Sequence, residues 1–418
     1  MKLGGILFSN TEEAGLSRLT VRRTVAAIPF GCRYRLADFP LSAMMRAGVT
    51  HISVVSGRNF DSLLEHIGSG KAWDLARHSG GIKIVSPYRY SCGGTYETRL
   101  SALESMYPTI EGMSTEYMVL ADSHLVYNPD LSDILEAHIR SGAEITLVGA
   151  PGGTEADGSL FIRADASGTV TGIRCSRGKS RTEAGETKWK EDRGTLRTAA
   201  SEAEAKNGNA DAERAEQGRD VGEEHLHPAE TEAAYLGMMM VRRADLLRLV
   251  REARAHGCTD LMTDILLRNR CRCRFSLYRY RGRYAAVTDF GEYYRCSMRL
   301  LRDAGYRRAL LSDPERPVCT GSTPTWPTAY GRNAEVRGSL IAEGCRIEGR
   351  VENSLLFRGV TVGRGSEIRD SILFGGCYIG QNSRLSAVCA EKHTVVRDGR
   401  QLMGHETLPL FIESGKVI

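Results

Sequence analysis

Short, nearly continuous apolar runs alternate with amphipathic stretches over the first 150 positions. LGGILF (3–8), HISVVSG (51–57), EYMVLADSH (116–124) and EITLVGA (144–150) have the length and apolar density of buried strands. Between them, FPLSAMMRAGV (39–49) predicts a helix with Leu41, Met44, Met45 and Val49 on one face. SDILEAHIRSG (132–142) predicts another, closed by Gly142. Strands separated by helices of this length predict an α/β fold with a mostly parallel, doubly wound sheet. Such sheets bind ligands at the carboxyl ends of their strands, so the informative residues are expected just after each apolar run.

The pattern fails over 178–232, which carries 9 Lys/Arg and 14 Asp/Glu but one Val and no Ile, Phe or Tyr. A segment so poor in apolar side chains cannot offset the entropy of ordering, so a polar, partly disordered insertion is expected. The fold resumes with a strand at AAYLGMMMV (233–241) and a helix at ADLLRLVREAR (244–254). SDPERPVCTGSTPTWPT (312–328), rich in Pro, Thr and Ser, reads as a linker.

A repeat follows. VENSLLFRGVTVGRGS (351–366) and IRDSILFGGCYIGQNS (368–383) match at an offset of 17, pairing Val351 with Ile368, Leu355 with Ile372, Phe357 with Phe374 and Val362 with Ile379. VRGSLIAEGCRI (336–347) fits at an offset of 15. Short apolar steps with Gly or Asn at the corners predict a parallel β-helix, whose coils must stack to bury their edges. The expected partition is a first domain over 1–311 containing the insertion, a linker over 312–330, and a β-helix with a C-terminal tail over 331–418.

Charge and cysteine content narrow the function. The 56 Lys+Arg against 51 Asp+Glu leave +5, too little to point to nucleic acid or a membrane surface. No apolar stretch reaches the length of a membrane span. The eleven cysteines are scattered without a CxxC pair, as expected for reduced thiols in the cytoplasm with neither a disulfide framework nor a metal cluster. GSGK (68–71) lacks the spacing of a phosphate-binding P-loop. His393 follows the last coil, where some hexapeptide-repeat acyltransferases carry a catalytic His, but a lone His there reads better as structural.

Three long motifs, IPFGCRYRLADFPLS (28–42), EHIGSGKAWDL (65–75) and GGIKIVSPY (80–88), closely resemble the glucose-1-phosphate adenylyltransferase family. The resemblance runs from residue 1 to about 405, interrupted by the insertion. It implies a Rossmann-like nucleotidyltransferase domain followed by a left-handed parallel β-helix of hexapeptide repeats. It also implies chemistry that forms ADP-glucose from ATP and glucose 1-phosphate with Mg²⁺.

The positions that carry this chemistry in the family are altered. The phosphate loop GGxGxRLxxLT becomes SNTEEAGLSRLT (9–20), with Ser9 and Asn10 for the paired glycines, added acids Glu12 and Glu13, and Arg18 out of register. Val25 stands where the family has a phosphate-binding Lys. Thr98 and Ser101 replace the Gly and Asp of GTADA, while Tyr96 just upstream matches a sugar-site tyrosine. LADSH (120–124) puts Ser123 at one metal-binding Asp and shifts Asp122 back by one. Ala286 takes the place of the other, with Asp289 three residues on, and Cys175 and Ser176 replace the sugar-gripping Glu–Lys pair. No catalytic set is intact, and Arg18, Asp122 and Asp289 are the surviving candidates.

This combination resembles the D-type, regulatory member of the family. It implies a partner, a catalytic adenylyltransferase subunit in a hetero-oligomer, most simply a tetramer assembled partly through β-helix residues Leu355, Phe357, Ile372 and Phe374. Mg²⁺ is expected only on that partner. Arg33 and Arg35 are candidate contacts for a sugar-phosphate effector such as fructose 1,6-bisphosphate, against the plainer reading of an ion-paired surface. The alternatives are a weakly active adenylyltransferase using Arg18, Asp122 and Asp289, or a stand-alone sugar-phosphate sensor.

Overall fold

The computed structural model describes residues 2–10, 14–76, 80–86, 98–152, 159–176, 231–261, 272–321 and 325–418. The first part of the chain contributes thirteen strands in the described residues: β1 Leu3–Ser9, β2 Pro29–Phe30, β3 Tyr34–Arg35, β4 His51–Ser56, β5 Gly81–Val85, β6 Tyr117–Asp122, β7 Leu125–Tyr127, β8 Ile145–Ala150, β9 Leu160–Ala164, β10 Val170–Cys175, β11 Thr231–Arg242, β12 Phe275–Arg279 and β13 Tyr284–Ala286. The main sheet runs β10-β9-β11-β6-β1-β4-β5, with β8 also on β11 and β12 on β8.

Strands β6, β1, β4 and β5 are mutually parallel, and β11 crosses them antiparallel. Every residue of β1 is buried, which explains its unbroken apolar run. Ile6 and Phe8 pack with Leu100 and Leu246 on one side, and Leu3 and Leu7 with Leu41 and Ile134 on the other. Register places Phe8 beside Asp122 and Ser9 beside Ser56, so several strand ends open on one edge.

The helix predicted over 39–49 spans Asp38–Arg46. It closes in a Schellman motif: the Val49 amide bonds the Met44 carbonyl, the Gly48 amide bonds the Met45 carbonyl, and Gly48 takes φ +70°. The helix over Leu131–Ser141 ends as expected at left-handed Gly142.

Strand β11 begins at Thr231, so the last two residues assigned to the insertion belong to the sheet. Glu232 earns its place there by accepting from Arg174 of β10 at 2.7 Å, while the same guanidinium lies 4.4 Å over the Phe161 ring. The rest of the insertion lies outside the described residues.

The second part of the chain forms three five-stranded parallel sheets, as in a left-handed β-helix. One runs from Ala329–Tyr330 to Val395–Val396, one from Glu335–Arg337 to Gln401–Met403, and one from Leu340–Ile341 to Leu410–Ile412. The coil register reproduces the sequence offsets, with Val351 on Ile368, Leu355 on Ile372 and Leu340 on Leu355. The first coil strand starts at Ala329, two residues earlier than the predicted boundary, because Ala329 and Tyr330 pair with Arg346 and Ile347. The preceding linker is fastened to the first domain, the Cys319 amide donating to Ser42 Oγ at 2.9 Å and Arg46 to the Pro317 carbonyl at 2.9 Å.

Side-chain alternation decides what the third sheet does. Leu356 and Leu373 point into the coil with Val351, Val362, Ile368 and Ile379. Leu355, Phe357, Ile372 and Phe374 face the other way, into an apolar cluster with Leu16, Phe30, Tyr293 and Tyr294 of the first domain. This corrects the expectation that these four side chains stack on another subunit: they are covered within the chain. Phe374 meets Tyr293 edge-on at 6.2 Å and Phe357 at 5.1 Å, and Phe290 meets Phe411 at 5.2 Å.

One ion pair sits within this apolar seam. Arg23 Nη2 donates to Glu391 Oε1 at 2.7 Å, with side-chain exposures of 5% and 6%, and the guanidinium lies 5.7 Å over the Phe374 ring. Removing one member of a buried pair leaves the other charge unsolvated, which costs about 3–5 kcal/mol, whereas an apolar pair of similar volume is often tolerated. Glu391→Ala is therefore expected to lower the unfolding free energy by about 3 kcal/mol or more. The double variant Arg23→Met/Glu391→Leu should recover most of that loss; urea denaturation of the three chains checks both.

Candidate functional site

Two places on the fold hold the residues singled out above. The first is the edge where β1, β4 and β6 end. Asn10 follows β1 and is buried; its Nδ2 donates to the Thr98 carbonyl at 3.0 Å. Thr98 caps the helix over Arg99–Ser105 through a reciprocal bond with Ser101, so the two residues that replace a family Gly and Asp serve as a capping box. Ser9 Oγ accepts from the Ala26 amide at 3.2 Å. Val25 is 4% exposed and packs in the apolar cluster with Leu16 and Ile28.

The acids at this edge are already engaged. Asp122 ends β6 with its side chain 7% exposed, and Oδ1 accepts from Arg99 Nε at 2.7 Å. On its other side, a Cβ added at Gly237 would lie 3.0 Å from Asp122 Oδ2. The Tyr235 phenol is held neutral to well above its usual range by burial and then by the nearby Asp122 charge. Asp289 caps the helix over Phe290–Arg302, its Oδ1 accepting from the Glu292 amide at 2.8 Å. Arg18 is exposed and lies 5.8 Å over the Phe290 ring.

Arg18 and Asp289 thus share a neighbourhood, while Asp122 is tied to Arg99. Ala286 pairs with Leu125 across β13 and β7. Ser176 is buried after β10 and its amide bonds the Ser159 carbonyl at 2.8 Å. Tyr96 lies outside the described residues, as do Glu12 and Glu13.

The second place is a cavity of about 690 Å³ between the two parts of the chain. The turn from β2 to β3 contributes Arg33 and Arg35, and the β-helix contributes Arg358, Lys392 and His393. The coil corners build its wall. Gly344, Gly359, Gly376 and His393 occupy equivalent corner positions with φ of 78°, 70°, 73° and 57°. His393 is therefore a corner residue packed over Gly376, where an added Cβ would meet its Nδ1 at 2.5 Å.

Cations in this cavity outnumber the acids that face it. Glu65 is the acid among the lining residues. Arg35 Nη1 donates to the Ser62 carbonyl at 2.6 Å and to Ser62 Oγ at 2.7 Å. Burial, then Arg23, pushes the Arg35 guanidinium down to about 10. Burial, then Arg35 and Arg23, pushes the Lys392 ammonium down to about 8. Arg358 Nε forms an ion pair with Glu343 Oε1 at 2.6 Å, and its buried Nη2 has no acceptor among the described residues. Such a concentration of partly buried and exposed cations is suited to an anion with several oxygen atoms. The sequence pointed to Arg33 and Arg35; Arg358 and Lys392 were missed, although 358, 375 and 392 are related by the 17-residue offset.

Residues 15–173 match the nucleotidyl transferase family, and residues 325–407 match the GlmU-like C-terminal hexapeptide family. The chain is therefore a nucleotidyl transferase domain joined to a hexapeptide β-helix. It is 27% identical to the glycogen biosynthesis protein GlgD of Bacillus subtilis (strain 168), covering 99% of this chain and 96% of that protein. It is 27% identical to a GlgD of Geobacillus stearothermophilus over 88% of this chain and 83% of that one. Identity to a glucose-1-phosphate adenylyltransferase of Bacillus cytotoxicus is also 27%, covering 94% and 93% of the two chains. Over nearly its whole length the chain thus resembles the GlgD proteins and the glucose-1-phosphate adenylyltransferases.

The packing of Val25 makes the altered phosphate site resistant to simple reversal. A lysine there would place an ammonium among Leu16, Ile28 and Phe30. Val25→Lys is expected to lower the unfolding free energy by several kcal/mol and to leave ADP-glucose formation near background. Urea denaturation and a pyrophosphate-release assay on the same preparation check both.

Proposed function

We propose that the chain serves glycogen biosynthesis as a regulatory subunit of glucose-1-phosphate adenylyltransferase, with little or no activity of its own. In this reading it works in the cytoplasm in a hetero-oligomer, most simply a tetramer, with a catalytic subunit that holds Mg²⁺. One contrast carries the proposal. Among the described residues at the strand ends, charge that would serve phosphate transfer is absent or internally consumed, as in Val25, the Arg99–Asp122 pair and the Asp289 cap. At the domain junction, four cations line a cavity that Glu65 also lines, with Glu343 paired to Arg358. Losing one electrostatic contact to a transition state costs a few kcal/mol, and here several are lost together. The names of the similar proteins support the pathway.

The surface for the partner is not the seam first considered, since Leu355, Phe357, Ile372 and Phe374 are covered within the chain. The cavity suits a phosphate ester such as fructose 1,6-bisphosphate, whose oxygens would meet Arg33, Arg35, Arg358 and Lys392. Effector binding there would bias the assembly through contacts that differ between its states.

Assembly is tested by mixing the purified chain with a catalytic subunit and measuring mass by light scattering and ADP-glucose formation by rate. A defined hetero-oligomer with an altered maximal rate or effector response is expected, and a chain assayed alone should form almost no ADP-glucose. Two non-interacting species with additive rates would leave the sensor reading, and turnover by the isolated chain would favour the enzyme reading.

The cavity gives a separate pH prediction. Lys392 loses its proton on passing about pH 8, below its unfolded value, so the site's positive charge is complete below that pH and declines above it. Affinity for fructose 1,6-bisphosphate, followed by calorimetry, should fall as pH rises from 7 to 9. Lys392→Met should weaken binding at pH 7 about tenfold and flatten the profile.

A further inference from the structure

Asp122 is the acid nearest to the place where the family resemblance implies a divalent cation. Its setting is not that of a metal ligand. A Mg²⁺ ion asks for octahedral oxygen coordination, with carboxylates free to turn toward it. Here one carboxylate oxygen accepts from Arg99 Nε at 2.7 Å, and the other backs onto Gly237, whose backbone has φ +59° in the irregular stretch of β11. The second implied carboxylate is replaced by Ala286, and Asp289 is spent on a helix cap. Among the described residues, no three His, Cys, Asp or Glu side chains converge as metal ligands do.

Arg99 is held to this role from behind. It is the first residue of its helix, immediately after the Thr98–Ser101 capping box, and Asn10 clasps the Thr98 carbonyl at 3.0 Å. The side chain is 15% exposed, and its planar guanidinium meets a carboxylate of 7% exposure. A buried carboxylate needs a compensating positive charge, and Arg99 supplies one at Asp122 Oδ1. We infer that Arg99 is a built-in counter-cation that takes the place of the divalent ion at the strand-end cleft, so that this chain does not bind a metal at Asp122.

The inference deepens the reading of this cleft as non-catalytic, and its test does not use activity. Mn²⁺ is the probe, titrated into the full-length chain and followed by the EPR signal of the free ion. The wild-type chain and Asp122→Asn are expected to give the same titration. Arg99→Met should gain weak Mn²⁺ uptake on its one freed carboxylate, and Arg99→Met/Asp122→Asn should lose it. Arg99→Lys, which keeps the charge, should behave as wild type.

Mn²⁺ bound by the wild type and released in Asp122→Asn would overturn the inference. So would a folded Arg99→Met chain that gains no ion, because the pair would then be structural only. Should Arg99→Met fail to fold, the comparison of wild type with Asp122→Asn still decides, and uptake by Arg99→Lys would also count against the proposal. A chain silent toward Mn²⁺ that assembles with no catalytic subunit would defeat the subunit reading and leave this one standing. Asp122-dependent Mn²⁺ uptake by a chain that does assemble would do the reverse.

Discussion

The Arg23–Glu391 pair is the constraint on which the rest of the arrangement turns. Two opposite charges are buried where a nucleotidyl transferase domain and a β-helix meet, and neither is tolerable without the other. Glu391 also accepts from the Lys392 amide at 2.9 Å, which fixes the residue that brings an ammonium into the interdomain cavity. Arg23, two positions before Val25, belongs to the segment leading from the strand-end loop to the basic turn. The same contact that joins the two parts therefore sets the spacing between the cations that line the cavity from either side. Parting the two domains would expose the apolar seam around Phe374 and uncouple this ion pair in one step.

The two clefts differ in how they balance charge. At the strand ends Asp122 and Asp289 each have an internal answer, a guanidinium for the first and a helix amide for the second. On the proposed reading, little driving force is left there for a polyanionic substrate or its metal. At the domain junction the balance runs the other way. Burial and mutual repulsion weaken the hold of Arg35 and Lys392 on their protons, a penalty that an incoming anion would relieve. Uncompensated positive charge thus lies between the domains rather than at the strand ends, the distribution that the proposed regulatory role calls for.

Much of the fold was legible because it rests on local periodicity. The buried strands showed as apolar runs, and the coils as an offset of 17 that reappears in the pairing of Leu355 with Ile372. What a β-helix face packs against was not legible, since alternation tells that Leu355 and Leu356 point opposite ways without telling which way is covered. The substitutions at Val25, Ala286 and the phosphate loop could be read directly against a family pattern. The partner of Asp122 could not, because Arg99 reaches it across 23 residues of chain from the start of a helix that tertiary packing sets against the end of β6. Lys392 and Arg358 were one step from recognition, as the coil offset that aligned the core also aligns these corners.

The clasp between Arg174 and Glu232 has a consequence for how this sequence can change over time. It joins the two sides of a 58-residue separation across the sheet, so the fold is already closed at the base of the insertion. For a flexible chain between fixed ends, each doubling of length adds only about 0.6 kcal/mol of closure entropy. Selection on folding therefore exerts little pressure on the length or wording of what lies between. Such a position can gain, lose or exchange whole segments, becoming a place where relatives diverge in size and acquire new attachments while the strands on either side stay in register.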